Sequence, residues 1–172
     1  MPGKAEGGIS AEVREHMTPA IPTIRVQHDD FDAAAESRLL TAGRRDIGAL
    51  VSFVGLCRDE AGTLSALELE HYPGMAETEM QRICDLAINR FSLLGLTAIH
   101  RFGRIGAGEQ IVLVIAAAPH RQAAFDGANF VMDFLKTSAP FWKKEHGRDG
   151  ETGDWVAAKD ADDGARDRWL RE

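Results

Sequence analysis

Cysteine is nearly absent: the chain of 172 residues has two, Cys57 and Cys84. Neither belongs to a CxxC pair or stands at zinc-ligand spacing with the histidines, so neither a disulfide framework nor a zinc site is expected. Such sparing use fits a reducing, cytoplasmic setting. Long apolar runs are missing as well. The longest, Ile111 to Pro119, is strand-sized, and a membrane span is not expected. Residues 1–20 lack the basic start and apolar centre of a secretory signal. Positive charge is also in short supply. The formal net charge is -7, whereas a nucleic-acid partner calls for clustered Lys and Arg.

What remains is an ordinary composition for one folded domain, with 44% hydrophobic and 27% charged residues, which leaves disorder unsupported. Residues 1–20 are Gly-rich and charged without apolar periodicity and read as a mobile extension, in which Met17 is an alternative start. Residues 21–172 read as a single domain. Within it PTIRVQ alternates as a strand, and DDFDAAAESRLLTAG follows as a helix with Asp caps and Gly43 as its stop. GALVSFVGL alternates with both faces largely apolar, which predicts a central strand.

LSALELEHY is strand-like, and Ala76 to Leu94 carries a buried helical stripe of Met80, Ile83, Ala87 and Phe91, with Cys84 in phase with it. Two strands, Thr97–Phe102 and Gln110–Ala117, are joined by GRIGAGE. That segment leads into a strand, not a helix N-terminus, so it reads as a hairpin turn and not a phosphate cradle. A second main helix from Arg121 to Lys136 is expected to bury Phe125, Ala128, Met132 and Leu135, and Pro140 forbids its extension. A short strand near Asp154 to Ala157 completes the pattern. Hairpin-like neighbours with helices inserted predict an α+β fold with a mixed, mostly antiparallel sheet and two main helices.

Against an acidic whole, local cations stand out. His120 and Arg121 lie where a strand passes into a helix, near N–H groups and a dipole end that attract anions. Lys136 and Lys143 flank a Pro140-Phe141-Trp142 turn. Arg58 ends GALVSFVGLCR, next to Cys57. Each has a plainer reading as a solvated or salt-bridged surface side chain. Collected in one cleft, they make a pocket for a small anion.

The wording of these segments resembles the large, catalytic subunit of molybdopterin synthase. GALVSFVGLCRD, LELEHYPGMAE, HRFGRIGAGE, APHRQAAF and MDFLKTSAPFWKKE follow the family's order at close to its spacing, covering about Ile21 to Trp155. The resemblance implies an α/β-hammerhead fold and the conversion of cyclic pyranopterin monophosphate into the dithiolene of molybdopterin. It implies Lys136 as the principal catalytic residue and Lys143 as its essential neighbour. Two nearby ammonium groups raise each other's cost of charging, which opens a role for a neutral amine.

The same resemblance implies substrate contacts from Leu56, Cys57, Arg58, His120, Arg121, Lys144 and Glu145. Arg121 would act as a bidentate phosphate fork, and Lys159 would reach a neighbouring subunit's site. The implied sulfur donor is a small ubiquitin-like partner ending in a Gly-Gly thiocarboxylate, one on each side of a homodimer in a heterotetramer. No metal and no resident cofactor are implied. Two rivals stay open: a Cys57 persulfide sulfurtransferase, since a thiol beside Arg58 invites a stabilised thiolate, and a non-enzymatic phosphate-ligand module.

Overall fold

The computed structural model describes residues 20–59, 61–156 and 167–170. The expected N-terminal extension, apart from Ala20, and Lys159 lie outside these residues. The chain runs β1 (Thr23–Gln27), α1 (Ala33–Thr41), β2 (Ala49–Leu56), β3 (Leu64–His71), α2 (Met75–Phe91), β4 (Gly95–Arg101), β5 (Gly103–Gly106), β6 (Gln110–Ala118), α3 (Arg121–Ser138), β7 (Phe141–Gly147) and β8 (Thr152–Val156). A 3-10 turn, Arg168–Leu170, follows. This is the α+β architecture the sequence predicts.

The strands form two four-stranded sheets where a single mixed sheet was expected. One has the order β1-β4-β6-β2 and the other β5-β3-β7-β8. Only β1 and β4 run parallel; the other pairs are antiparallel. The chain passes from the first sheet to the second between β4 and β5, where Gly103 adopts φ +85°. A side chain is strained in that left-handed region, and glycine is not. GRIGAGE is therefore not all turn. Gly103–Gly106 pairs with β3, and only the residues from Ala107 to Glu109 reverse the chain into β6.

Local chemistry explains the helices. Asp32 caps α1 by accepting hydrogen bonds from the amides of Ala34 and Ala35, both at 2.9 Å. Met80, Ile83, Cys84 and Ala87 of α2 are fully buried, and they meet Ala128, Val131 and Leu135 of α3 over Leu96, Ala98, Val114 and Ala116 of the first sheet. Packed at that density, two helices on one sheet face make the main core. The opposite face is covered by α1 through a smaller cluster of Phe31, Ile99, Leu113 and Ile115. Phe125 departs from expectation, since it is 54% exposed on the outer side of α3.

β2 departs as well. It pairs with β6 alone and forms an edge of the first sheet, not its centre. Leu50, Phe53 and Leu56 remain exposed along it. Its doubly apolar pattern therefore includes exposed surface, a property that alternation cannot separate from burial inside a sheet.

The start of β2 is pinned by a close approach. A Cβ added at Gly48 would lie 2.2 Å from the carbonyl oxygen of Pro119. Gly48→Ala should therefore lower stability by about 1–3 kcal/mol, the usual range for overpacking. Denaturant titration checks this, and an unchanged midpoint would contradict it.

Candidate functional site

A wide opening lies between the two sheets, where the end of β2, the last turn of α3 and the start of β7 meet. It is a cavity of about 1340 Å³. Its wall includes Leu56, Cys57, Arg58, Lys136, Lys143 and Glu145. Six of the residues singled out in the sequence are thus gathered from three separate stretches of chain.

Pro140 sets this geometry. A proline ring disfavours helical backbone at the residue before it, and Ala139 is extended at φ -72°, ψ 131°. The helix stops, and β7 begins at Phe141, so the anticipated turn is already strand. Lys136 lies in the last turn of the helix, while Lys143 stands in β7 opposite Leu69 and Val156. The period of two along β7 sends Phe141, Lys143 and Glu145 to the cavity. Trp142, 44% exposed, contributes to the rim.

Lys144 takes the other face. Its Nζ sits 4.4 Å from the centroid of the Trp155 ring, a cation–π contact, and it lines no part of the cavity. The expected grouping of Lys144 with Lys143 on one surface is therefore not found. His120 and Arg121 are exposed at the N-terminal end of α3, outside the cavity wall. At 1.5 Å per residue, Arg121 lies about 22 Å along the helix axis from Lys136. Sheet register agrees, since Ala49 pairs with Ala118 beside His120, whereas Leu56 pairs with Gln110 at the other end. One protomer does not bring the His120–Arg121 pair to the lysines.

Cys57 is 1% exposed, and burial pushes its thiol pKa up, assisted by nearby Glu109, Asp59 and Glu145. A persulfide carrier needs an accessible thiolate, so its environment opposes the sulfurtransferase reading. Its amide donates to Glu109 O at 2.8 Å, and its carbonyl accepts from Gly108 N at 2.7 Å. That leaves the Cys57 N–H engaged within the protein. Asp59, also on the wall, accepts from the Leu64 amide at 3.0 Å and pairs with Arg148 at 3.1 Å. One wall carboxylate is thus already answered, while three cationic side chains line the same space.

The sequence reading passed over His100. It stands on β4 in phase with Leu96 and Ala98, two core residues, and that phase was the available signal: a histidine continuing an apolar face. Its ring stacks on Phe141 with centroids 3.7 Å apart and planes 14° from parallel. Burial pulls its pKa down to about 4, opposed by a hydrogen bond to the Arg101 carbonyl and reinforced by His71 nearby. Arg101 is buried and holds this corner by donating to Gln110 O at 2.8 Å and His28 O at 3.1 Å. Among the described residues no group of three or more His, Cys, Asp or Glu side chains is arranged to hold a metal. No described helix is long and apolar enough to cross a membrane.

Comparison with known proteins agrees with this architecture. Residues 26–138 match the family model described as MoaE protein. A molybdopterin synthase catalytic subunit of Rhizobium meliloti (strain 1021) is 72% identical over 149 residues, covering 87% of this chain and 96% of that one. The solved structure of a molybdopterin biosynthesis MoaE protein from Burkholderia ambifaria MC40-6 superposes with a TM-score of 0.76 at 48% identity, over 88% of this chain and 99% of the other. The crystal structure of molybdopterin synthase from Staphylococcus aureus gives 0.68 at 25% identity, over 83% and 99%.

The His100 shift makes a pH prediction with a definite sign. Above the ordinary value of 6.5 the imidazole is neutral in both states and its contribution to stability is complete. As pH falls from 6.5 toward 4, the unfolded chain takes up a proton that the folded chain refuses, and stability drops. Denaturation at pH ~7.5 and ~5 should show a smaller loss for His100→Phe than for the unaltered chain. Equal losses would contradict the assignment.

Proposed function

The chain belongs to the MoaE protein family, and on that premise we propose how its cavity does the work of a molybdopterin synthase catalytic subunit. It is a sulfur-transferring enzyme of molybdenum cofactor biosynthesis. The observation that carries the site assignment is the convergence of Arg58, Lys136 and Lys143 on one cavity beside an apolar wall.

In this reading the cavity takes cyclic pyranopterin monophosphate with its phosphate toward those cations. Opening the cyclic phosphate adds negative charge, and fixed cations in a partly enclosed site stabilise that charge more strongly than water does. Lys136 acts as the acid/base or nucleophilic amine, with Lys143 beside it and Glu145 orienting the pair. Cys57 is buried, so sulfur comes from outside. A small ubiquitin-like partner inserts a Gly-Gly tail past the rim near Trp142, and glycine's lack of a side chain lets its backbone pass close to the lysines. In each of two rounds the donor sulfur forms a C–S bond to a pterin side-chain carbon as a C–O bond there breaks, its oxygen leaving with the opened phosphate or as water. Water then cleaves the acyl C–S bond to release the donor as a carboxylate. Free thiols at Cys57 and Cys84 accord with a cytoplasmic enzyme.

A second protomer supplies what one lacks. The unpaired edge of β2, with Leu50, Phe53 and Leu56 exposed, suits isologous pairing with the same strand of a two-fold-related copy. Two-fold pairing of edges is antiparallel. It lays the Ala49 end of one β2 against the Leu56 end of the other, and β2 spans about 26 Å. That register carries His120 and Arg121 of one copy toward the Arg58 end of its mate's cavity, where they serve as further phosphate ligands.

Lys136→Ala should cost roughly 10² to 10⁴-fold in turnover with the fold intact, the usual worth of a positioned acid or base. Activity within a few-fold of the unaltered enzyme, assayed with thiocarboxylated partner, would remove Lys136 from the chemistry. Shared sites predict complementation too. Equimolar Lys136→Ala and Arg121→Ala chains, each nearly inactive alone, should regain about a quarter of full activity on subunit exchange, because half the dimers are mixed and each holds one intact site. No recovery after verified exchange would place Arg121 outside the partner's cavity.

A further inference from the structure

We propose that His100 receives the pterin ring, its Nε2 lone pair accepting a hydrogen bond from a ring N–H and so fixing which end of the substrate faces the lysines. This rests on the reading of the cavity as the pterin site.

The tautomer follows from the backbone. His100 Nδ1 lies 2.8 Å from the carbonyl oxygen of Arg101, and a carbonyl only accepts, so the proton is on Nδ1. In the neutral ring Nε2 then carries a lone pair. Among the described residues Nε2 has no protein hydrogen-bond partner, and it is not among the sealed, unsatisfied polar atoms, unlike Nδ1 of His71. The His100 side chain lines the cavity that also holds Arg58, Lys136 and Lys143. Nε2 is therefore an acceptor open to the cavity.

The surroundings keep the ring in that state. Phe141 covers one face, Val26 and Val112 flank His100 in the sheet, and His71, itself packed on Phe102 at 4.7 Å between centroids, adds only imidazole. The lysines lining the same cavity disfavour a further cation. Burial pulls the imidazole to about 4, roughly six pH units below an ordinary lysine, so removing a lysine proton is far uphill for it. His100 is thus an acceptor and not the general base.

An acceptor discriminates between the ends of the ligand. The substrate's cyclic phosphate is a diester, fully ionised at neutral pH, and has no proton to give a neutral Nε2, whereas a pterin presents ring N–H groups beside a flat face. The phosphate belongs with Arg58 and the lysines, and the ring edge belongs with His100. Phe141, held flat by the imidazole, extends the apolar surface on which the ring lies.

The test compares His100→Phe, which keeps the aromatic stack without the acceptor, and His100→Gln, whose amide oxygen restores an acceptor. Calorimetry with cyclic pyranopterin monophosphate should show binding weakened roughly tenfold to a hundredfold in His100→Phe and within a few-fold of unaltered in His100→Gln. KM in the two-subunit assay should follow binding, with kcat changed less. In the unaltered chain at neutral pH, imidazole 15N NMR should find Nε2 unprotonated. Its resonance should move on adding substrate and stay put on adding dimethyl phosphate, a fully ionised diester. Unweakened binding by folded His100→Phe, a protonated Nε2, or a response to dimethyl phosphate alone would overturn the assignment. Should His100→Phe fail to fold, His100→Gln and the NMR titration decide. Absence of molybdopterin formation by the unaltered complex would sink the synthase reading itself, whereas normal turnover with a silent His100 resonance would sink only this inference.

Discussion

The structure turns on Pro140. Without it, helical phase would carry α3 onward and leave Lys136 and Lys143, seven residues apart, on one continuous face. A residue before proline is driven to extended backbone, and Ala139 obeys. The chain therefore leaves the helical layer of the first sheet and enters the second sheet as β7. The space between those two destinations is the cavity, and it has a lysine on each side of the break. The apolar floor comes from the same event, because Phe141, the first residue after the proline, becomes the plate on which His100 stacks.

Charge is distributed in keeping with that layout. The protein is acidic overall, yet Arg58, Lys136 and Lys143 line one cavity, and the wall carboxylate Asp59 is tied to Arg148. A local concentration of positive charge inside an acidic molecule selects small anions and disfavours polyanions such as nucleic acid. Both cysteines are buried, with burial pushing Cys84 up to about 12 and Cys57 upward as well. Neither is poised as a sulfur carrier, which agrees with sulfur arriving on a partner.

Much of the fold was legible because short-range chemistry dictates it. Asp32 as a cap, the Met80–Ile83–Ala87 stripe, the stop at Pro140 and the strand leading out of GRIGAG all follow from spacing within a few residues. The failures share a different cause. Nothing in the alternation of β2 distinguishes an interior strand from an edge strand with exposed apolar side chains, and Phe125 on α3 misled in the same way. Of the residues singled out in the sequence, Leu56, Cys57, Arg58, Lys136, Lys143 and Glu145 share one cavity wall, and the spacing alone did not separate them from the rest. The resemblance placed Lys144 with Lys143, although successive strand residues point to opposite faces and Lys144 sits on Trp155. His120 and Arg121 were grouped with the lysines, although about 22 Å of helix lies between them. His100 went unnoticed because a single histidine in an apolar strand ordinarily reads as core.

The account's central claim is that this chain supplies the pocket and cations while sulfur comes from a partner's threaded tail. Reconstitution from purified components tests it most directly: the chain, cyclic pyranopterin monophosphate, and the small partner with or without its terminal thiocarboxylate. Molybdopterin should form only with the thiocarboxylated partner, and a partner lacking its last two glycines should dock without supporting turnover. Sulfur incorporation from inorganic sulfide, by this chain alone and at a comparable rate, would contradict the account.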